Sequence, residues 1–253
     1  MKIFDSHAHY DNERFDEDRD EVIRAIKEAG VGAVLNAASD LESSKKALEL
    51  AKKYEFFWAS AGVHPHEATS LDDNVLLEIE GLCKESKTVA LGEIGLDFYY
   101  DHSPREVQRT AFEKQLMLAK DIDIPIIIHS RDAAQETFDL VKKYRPRGVV
   151  HCFSGSAELA AEYVKLGLYV GFTGVVTFPN AKKALEAAKS AGLGRLLIET
   201  DCPYMAPVPF RGKRCNSAML IHTAQALADV LEVSLEEVFG ASWENAMTGY
   251  EIK

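Results

Sequence analysis

A short apolar strand followed by an amphipathic helix recurs along the whole chain, and this alternation limits the fold more than any other feature. Candidate strands read KIFDSHAHY, GAVLNAA, FFWASAGVHP, TVALGEIGLD, IPIIIHS, GVVHCFSG, LYVGFTGVV and RLLIETDCP. Between them lie helix-period segments such as EDRDEVIRAIKEAG, LESSKKALELAKKY, QRTAFEKQLMLAKD, DAAQETFDLVKKYR and SAELAAEYVKLG. Gly30, Gly167 and Gly192 fall just past helical runs, where a left-handed residue ends a helix. Eight such units, each of about thirty residues, predict a single α/β domain over residues 1–253, a (β/α)8 TIM-type barrel. The alternative is a doubly wound open sheet. Against it, the first strand–helix turn lacks a G-x-G-x-x-G, and no linker or low-complexity stretch divides the chain.

With 253 residues, the chain is long enough to bury a full core. Its net charge of −11 argues against a broad basic face coating a nucleic acid, but leaves room for one held locally in a cleft. Met1-Lys2-Ile3-Phe4-Asp5 does not read as a signal peptide, and no apolar run suits a bilayer. Cys83, Cys152, Cys202 and Cys215 show no paired spacing. The expectation is a cytoplasmic protein with reduced thiols, without membrane association or an obligate protein partner.

In this barrel class the C-terminal strand ends form the active-site face. His7 and His9 lie two apart on the first strand and so point the same way. Strand three ends in His64 and His66. Strand four carries Glu93 and then Asp97, strand five ends in His129, and strand six gives His151. Strand eight carries Glu199 and Asp201 on one expected face. Six of the eight histidines thus fall at strand ends, whereas His102 and His222 do not. Taken singly, each has an ordinary explanation, a satisfied core histidine or a carboxylate paired with lysine. Together they would desolvate and repel one another unless a divalent cation, or two, sat among them.

The segments DSHAHYD, GVHPH, GEIGLDFYY, IPIIIHSRDA, HCFSGS and ETDCPYMAPVPFRGKR resemble, in order, the motifs of the TatD family of metal-dependent deoxyribonucleases. That family lies among the amidohydrolase-like metal-dependent hydrolases. The resemblance implies His7, His9, Glu93, His129, His151 and Asp201 as ligands of a two-metal centre. Glu93 would bridge, with His7, His9 and Asp201 completing one site and His129 and His151 the other. It also implies exonucleolytic hydrolysis of DNA from single-stranded 3′ ends, with RNA open as a second substrate. One departure stands out. After RGKR the family continues with an Asn-Glu-Pro-like turn, whereas this chain has Cys215-Asn216-Ser217-Ala218. Either Asn216 or Ser217 could cap the helix that follows.

The donor types suit Mg²⁺, Mn²⁺ or Zn²⁺, two ions per chain, without choosing among them. Asp201 is the expected general base, with Glu93 as the other catalytic carboxylate. Glu199 is expected to orient a ligand histidine. No lysine lies in VALGEIGLD, which favours a glutamate bridge over a carboxylated lysine. His66 is expected to meet the substrate, and His64 is left open between that role and capping the backbone. Arg211, Lys213 and Arg214 in PFRGKR supply cations suited to phosphate. A small-molecule amide, ester or lactone hydrolase on the same barrel would not need them. A catalytically silent binding protein would need neither them nor the ligands.

Overall fold

The computed structural model describes residues 2–253. In chain order its first elements are β1 (Ile3–Ala8), α1 (Arg19–Glu28), β2 (Val31–Asn36), α2 (Leu41–Lys53), β3 (Phe57–Ala61) and α3 (Asp73–Cys83). Next come β4 (Thr88–Asp97), α4 (Arg105–Asp121), β5 (Ile126–Arg131), α5 (Ala134–Tyr144), β6 (Gly148–Val150) and α6 (Ala157–Lys165). The last are β7 (Tyr169–Phe172), α7 (Lys182–Ala191), β8 (Leu196–Ile198), α8 (Leu220–Leu231) and α9 (Leu235–Gly249). The eight strands follow chain order in one sheet and alternate with helices, the (β/α)8 barrel class expected from the sequence.

Local chemistry accounts for the elements. Every residue of β1 is buried, as strands covered on both faces require. Helix α1 turns Ile23 and Ile26 inward and places Asp20 and Glu21 in its first turn, where the helix dipole favours negative charge. Asp40 caps α2 by accepting the Ser43 N–H at 2.7 Å. Gly30 and Gly167, just past α1 and α6, take the expected left-handed conformation.

Contacts group the chain into two compact units. One comprises residues through Leu35 with Cys152–Thr248 and Ile252–Lys253. Within it, β7 and β8 pair in parallel, Phe172 opposite Ile198. Beyond β8 the Asp201 N–H reaches the His7 carbonyl at 2.9 Å, and the His9 N–H reaches the Cys202 carbonyl at 2.8 Å. The segment after β8 therefore runs beside the end of β1. Helix α9 backs this strand: Ser242 Oγ accepts the Ile198 N–H, and the Asn245 amide donates to the Leu193 and Leu196 carbonyls.

The other unit comprises Asn36–His151 and Gly249–Glu251. Here β3, β4, β5 and β6 pair in parallel, with Gly95 opposite His129 and Asp97 opposite Arg131. Gly95 has φ +151°, and a Cβ there would lie 1.9 Å from the His129 carbonyl oxygen. Only glycine lets β4 approach the His129 backbone so closely. Among the described residues no single helix is long and apolar enough to cross a membrane.

Candidate metal centre

In the first unit, β1 and the segment after β8 bring three donors together. His7 Nε2 and His9 Nε2 lie 3.1 Å apart. Asp201 Oδ1 is 3.2 Å from His9 Nε2 and 3.8 Å from His7 Nε2. Strand β8 stops at Ile198, so strand alternation does not govern Glu199 and Asp201. Asp201 adopts φ +56°, a left-handed conformation that aspartate tolerates better than most residues. The two carboxylates, expected on one face, take different partners. Glu199 is fully buried and accepts the Cys152 N–H at 2.5 Å, with Ser6 Oγ at 3.5 Å. A Cβ on Gly171 would fall 2.3 Å from Glu199 Oε2, so the glycine makes room for this carboxylate.

Behind the three donors lies Asp5, fully buried. Its carboxylate accepts the Thr200 N–H at 2.9 Å, the Thr200 hydroxyl at 2.6 Å and the Ser217 hydroxyl at 2.6 Å. Burial pushes the Asp5 carboxyl up to about 7, against the lowering effect of the bonds from Ser217 and Thr200. Asp5 therefore ties β1 to the segment that carries Asp201. Asn216 is the cap in the departing loop, its side chain accepting the Ala218 N–H at 3.0 Å, while Ser217 serves Asp5 and Tyr10.

In the second unit the hub is Glu93, on β4 and 4% exposed. Its Oε1 lies 2.7 Å from His129 Nδ1, 3.0 Å from His151 Nε2 and 3.6 Å from His64 Nε2. Asp97, fully buried at the end of β4, supports the same imidazoles. Its Oδ2 is 2.9 Å from His66 Nε2 and 3.2 Å from His129 Nε2, and its Oδ1 accepts the N–H groups of Tyr99 and Tyr100. Burial works to raise the Asp97 carboxyl, but the bonds from His129, the Tyr100 backbone and His66 outweigh it and hold it well below the usual carboxylate range. Burial likewise depresses His129, but the bonds to Asp97 and Glu93 raise it overall. His64 has no such offset: burial, joined by the neighbouring His129, pushes it well below its ordinary value.

The donor chemistry in each unit fits a divalent cation. One group is His7, His9 and Asp201, another is His64, Glu93 and His129, and within each all ligand atoms lie within 4.8 Å of one another. A single carboxylate oxygen facing three imidazoles, at least one of them held neutral by burial, suits a nitrogen- and oxygen-binding ion. Reading the sequence did not place His64 among the donors. Its Nδ1 accepts the His66 N–H at 3.1 Å, capping the 3₁₀ turn Pro65–Ser70, and this directs its Nε2 towards Glu93. Asp97 was visible at the end of β4, but its partners lie 31 and 32 residues away and left no local signal.

The cationic loop is divided in its commitments. Arg214 forms a two-pronged pair with Asp18, at 2.8 and 2.5 Å, and donates to the Arg14 carbonyl. It fastens the loop. Arg211 and Lys213 are exposed, Arg211 lying over the Phe178 ring at 4.5 Å.

A (β/α)8 barrel with grouped histidines and carboxylates at its strand ends defines the class of metal-dependent hydrolases, and this chain is one. It matches the TatD-related DNase family over residues 4–251 and belongs to that family. It is 40% identical to a Bacillus subtilis protein named uncharacterized metal-dependent hydrolase YabD, over 99% of both chains. A Cronobacter sakazakii protein named 3′-5′ ssDNA/RNA exonuclease TatD is 38% identical over 81% of this chain and 80% of its own. The crystal structure of YJJV, a TatD homologue from Escherichia coli K12, superposes with a TM-score of 0.94 at 31% identity, covering 99% of this chain and 98% of that one.

Proposed function

We propose that this chain is a 3′-5′ exonuclease that hydrolyses phosphodiester bonds of single-stranded DNA, with RNA as a second substrate, and that residues 1–253 act as one domain. The observation that carries this reading is the gathering of imidazole and carboxylate donors in each unit of a TatD-family chain. The name borne by the Cronobacter sakazakii relative supports the substrate class.

In this reading His7, His9 and Asp201 hold one divalent ion, and Glu93, His129 and His151 hold the other, with His64 adjoining the second. When bound, such ions polarise a phosphodiester and acidify a water. Asp201, its side chain 14% exposed, accepts the proton of the attacking water. His66, 26% exposed and oriented by Asp97, donates to a phosphate oxygen. Asp5 and Glu199 hold the backbone around the donors: Asp5 at Thr200, next to Asp201, and Glu199 at Cys152, next to His151. Arg211 and Lys213 contact phosphates further along the strand, and Arg214 anchors their loop.

One observation favours a small-molecule ester, amide or lactone substrate instead. The commitment of Arg214 to Asp18 leaves two loop cations rather than three for a polyanion. The experiment that separates the readings is digestion of 5′- and 3′-labelled single- and double-stranded oligonucleotides by chelated protein, with Mg²⁺, Mn²⁺ or Zn²⁺ restored separately. Early release of the 3′ label, together with a shortening ladder from the 5′-labelled single strand, is the expected result. No cleavage with any ion, alongside hydrolysis of a lactone or amide, would transfer the assignment to the second reading.

A further inference from the structure

The DFYY segment places two neighbouring tyrosines at the mouth of the Glu93 group, and nothing in the chemistry above uses their rings. Tyr99 is 57% exposed and Tyr100 49%, unusual for large aromatic side chains with no apolar cover. Their rings meet edge to face at 4.8 Å. The exposed His102 ring lies parallel to Tyr100, with 5° between the planes and 5.4 Å between centroids. The Arg131 guanidinium sits over both tyrosines, 4.2 Å from the Tyr99 centroid and 4.7 Å from that of Tyr100. Among the described residues its charge meets these ring faces and no carboxylate.

The platform is rigidly coupled to the donors. The Tyr99 and Tyr100 N–H groups both donate to Asp97 Oδ1, while Asp97 Oδ2 holds His129 and His66. The His66 ring also packs edge-on against Tyr100 at 5.4 Å and His102 at 4.7 Å. One buried carboxylate therefore fixes both the aromatic surface and the imidazoles beside Glu93. An array of exposed π-faces with a guanidinium among them binds flat, electron-rich rings next to negative charge. Single-stranded nucleic acids offer both, a base face and a phosphate, whereas paired bases have their faces already stacked on each other.

We propose that Tyr99, Tyr100 and His102, with Arg131, form a stacking platform for an unpaired nucleobase of the substrate strand. This rests on the exonuclease reading and narrows it: the platform selects strands whose terminal bases are unpaired, independently of sequence. Arg131 meets the backbone phosphate of the nucleotide whose base is stacked.

The test is fluorescence anisotropy with metal-loaded protein and short single strands carrying non-bridging phosphorothioates to slow cleavage. Each strand is compared with one of equal length bearing abasic 3′-terminal positions. The parent is expected to bind the base-bearing strand about tenfold or more tighter than the abasic one. Tyr99→Ala/Tyr100→Ala should lose that preference while keeping its metal content, and Tyr99→Phe/Tyr100→Phe should restore it. Arg131→Gln should weaken both strands alike and flatten the salt dependence. A parent without preference for bases, or a double alanine variant that retains it, would overturn the platform. If the preference behaves as described but the unmodified strand is never cut with any ion, the exonuclease reading fails while the platform stands.

Discussion

His129 presents its Nδ1 to Glu93 Oε1 at 2.7 Å and, through its other nitrogen, meets Asp97 Oδ2 at 3.2 Å. An imidazole with a carboxylate at each nitrogen holds its proton strongly, which is why its pKa is raised despite burial. The same arrangement prepares a metal ligand. A carboxylate on the far nitrogen fixes the ring and raises the basicity of the nitrogen that binds the ion. If His129 holds an ion as proposed, proton and cation compete for its ring, and metal loading should release a proton to solvent.

Asp201→Asn keeps the shape of the side chain and one oxygen ligand but cannot accept a proton from water. It should retain most of its bound metal while turnover falls by about 10²–10⁴-fold. Metal analysis beside single-turnover rates checks this. Turnover near that of the parent would remove Asp201 from the proton-transfer step.

The cationic loop should divide into a binding half and a structural half. Arg214→Ala breaks the pair with Asp18 and should cost about 0.5–1 kcal/mol in urea unfolding, because the pair is only part-buried. Arg211→Ala should leave stability unchanged and lower the salt slope of single-strand binding by about 0.7. Equal effects of the two substitutions on both measurements would contradict this division.

Cys83, at the end of α3 and 8% exposed, gives a stability signature away from the donors. Burial, with a smaller contribution from Glu80, pushes its thiol up to about 12. The folded value lies above the unfolded one of about 8.5, so folding favours the protonated thiol. Its contribution is complete below that pH and is lost as pH rises towards 12. Comparing urea unfolding at pH 8 and pH 10, Cys83→Ala should lose less stability than the parent, by on the order of 1–2 kcal/mol. Equal losses in both proteins would contradict the burial argument.

The repeat of strand and helix was readable because burial on both faces leaves nearly continuous apolar runs. Strand β4 has the expected bounds, Thr88–Asp97, but Glu93 lies within it, as His7 lies within β1 and His129 within β5, while His9, His151 and Asp201 follow just past β1, β6 and β8. Strands β6 and β8 are shorter than their apolar-to-polar segments suggest, ending at Val150 and Ile198. Left-handed residues at Cys152 and Asp201 follow, and no local pattern announces these in residues other than glycine. Long-range partners were equally hidden. Asp18 is 196 residues from Arg214, and Thr200 and Ser217 lie 195 and 212 residues from Asp5. His64 entered the donor group because capping a 3₁₀ turn sets its ring direction, a consequence of backbone geometry rather than of spacing.

The most direct test of the metal-centre account is calorimetric titration of chelated protein with Mn²⁺ or Zn²⁺, in two buffers of different ionisation enthalpy, for the parent and Glu93→Ala. The account predicts saturation near two ions per parent chain with proton release, and a lost or much weakened binding event in the variant. A chelated parent that takes up no ion, or a Glu93→Ala isotherm superposable on that of the parent, would contradict it.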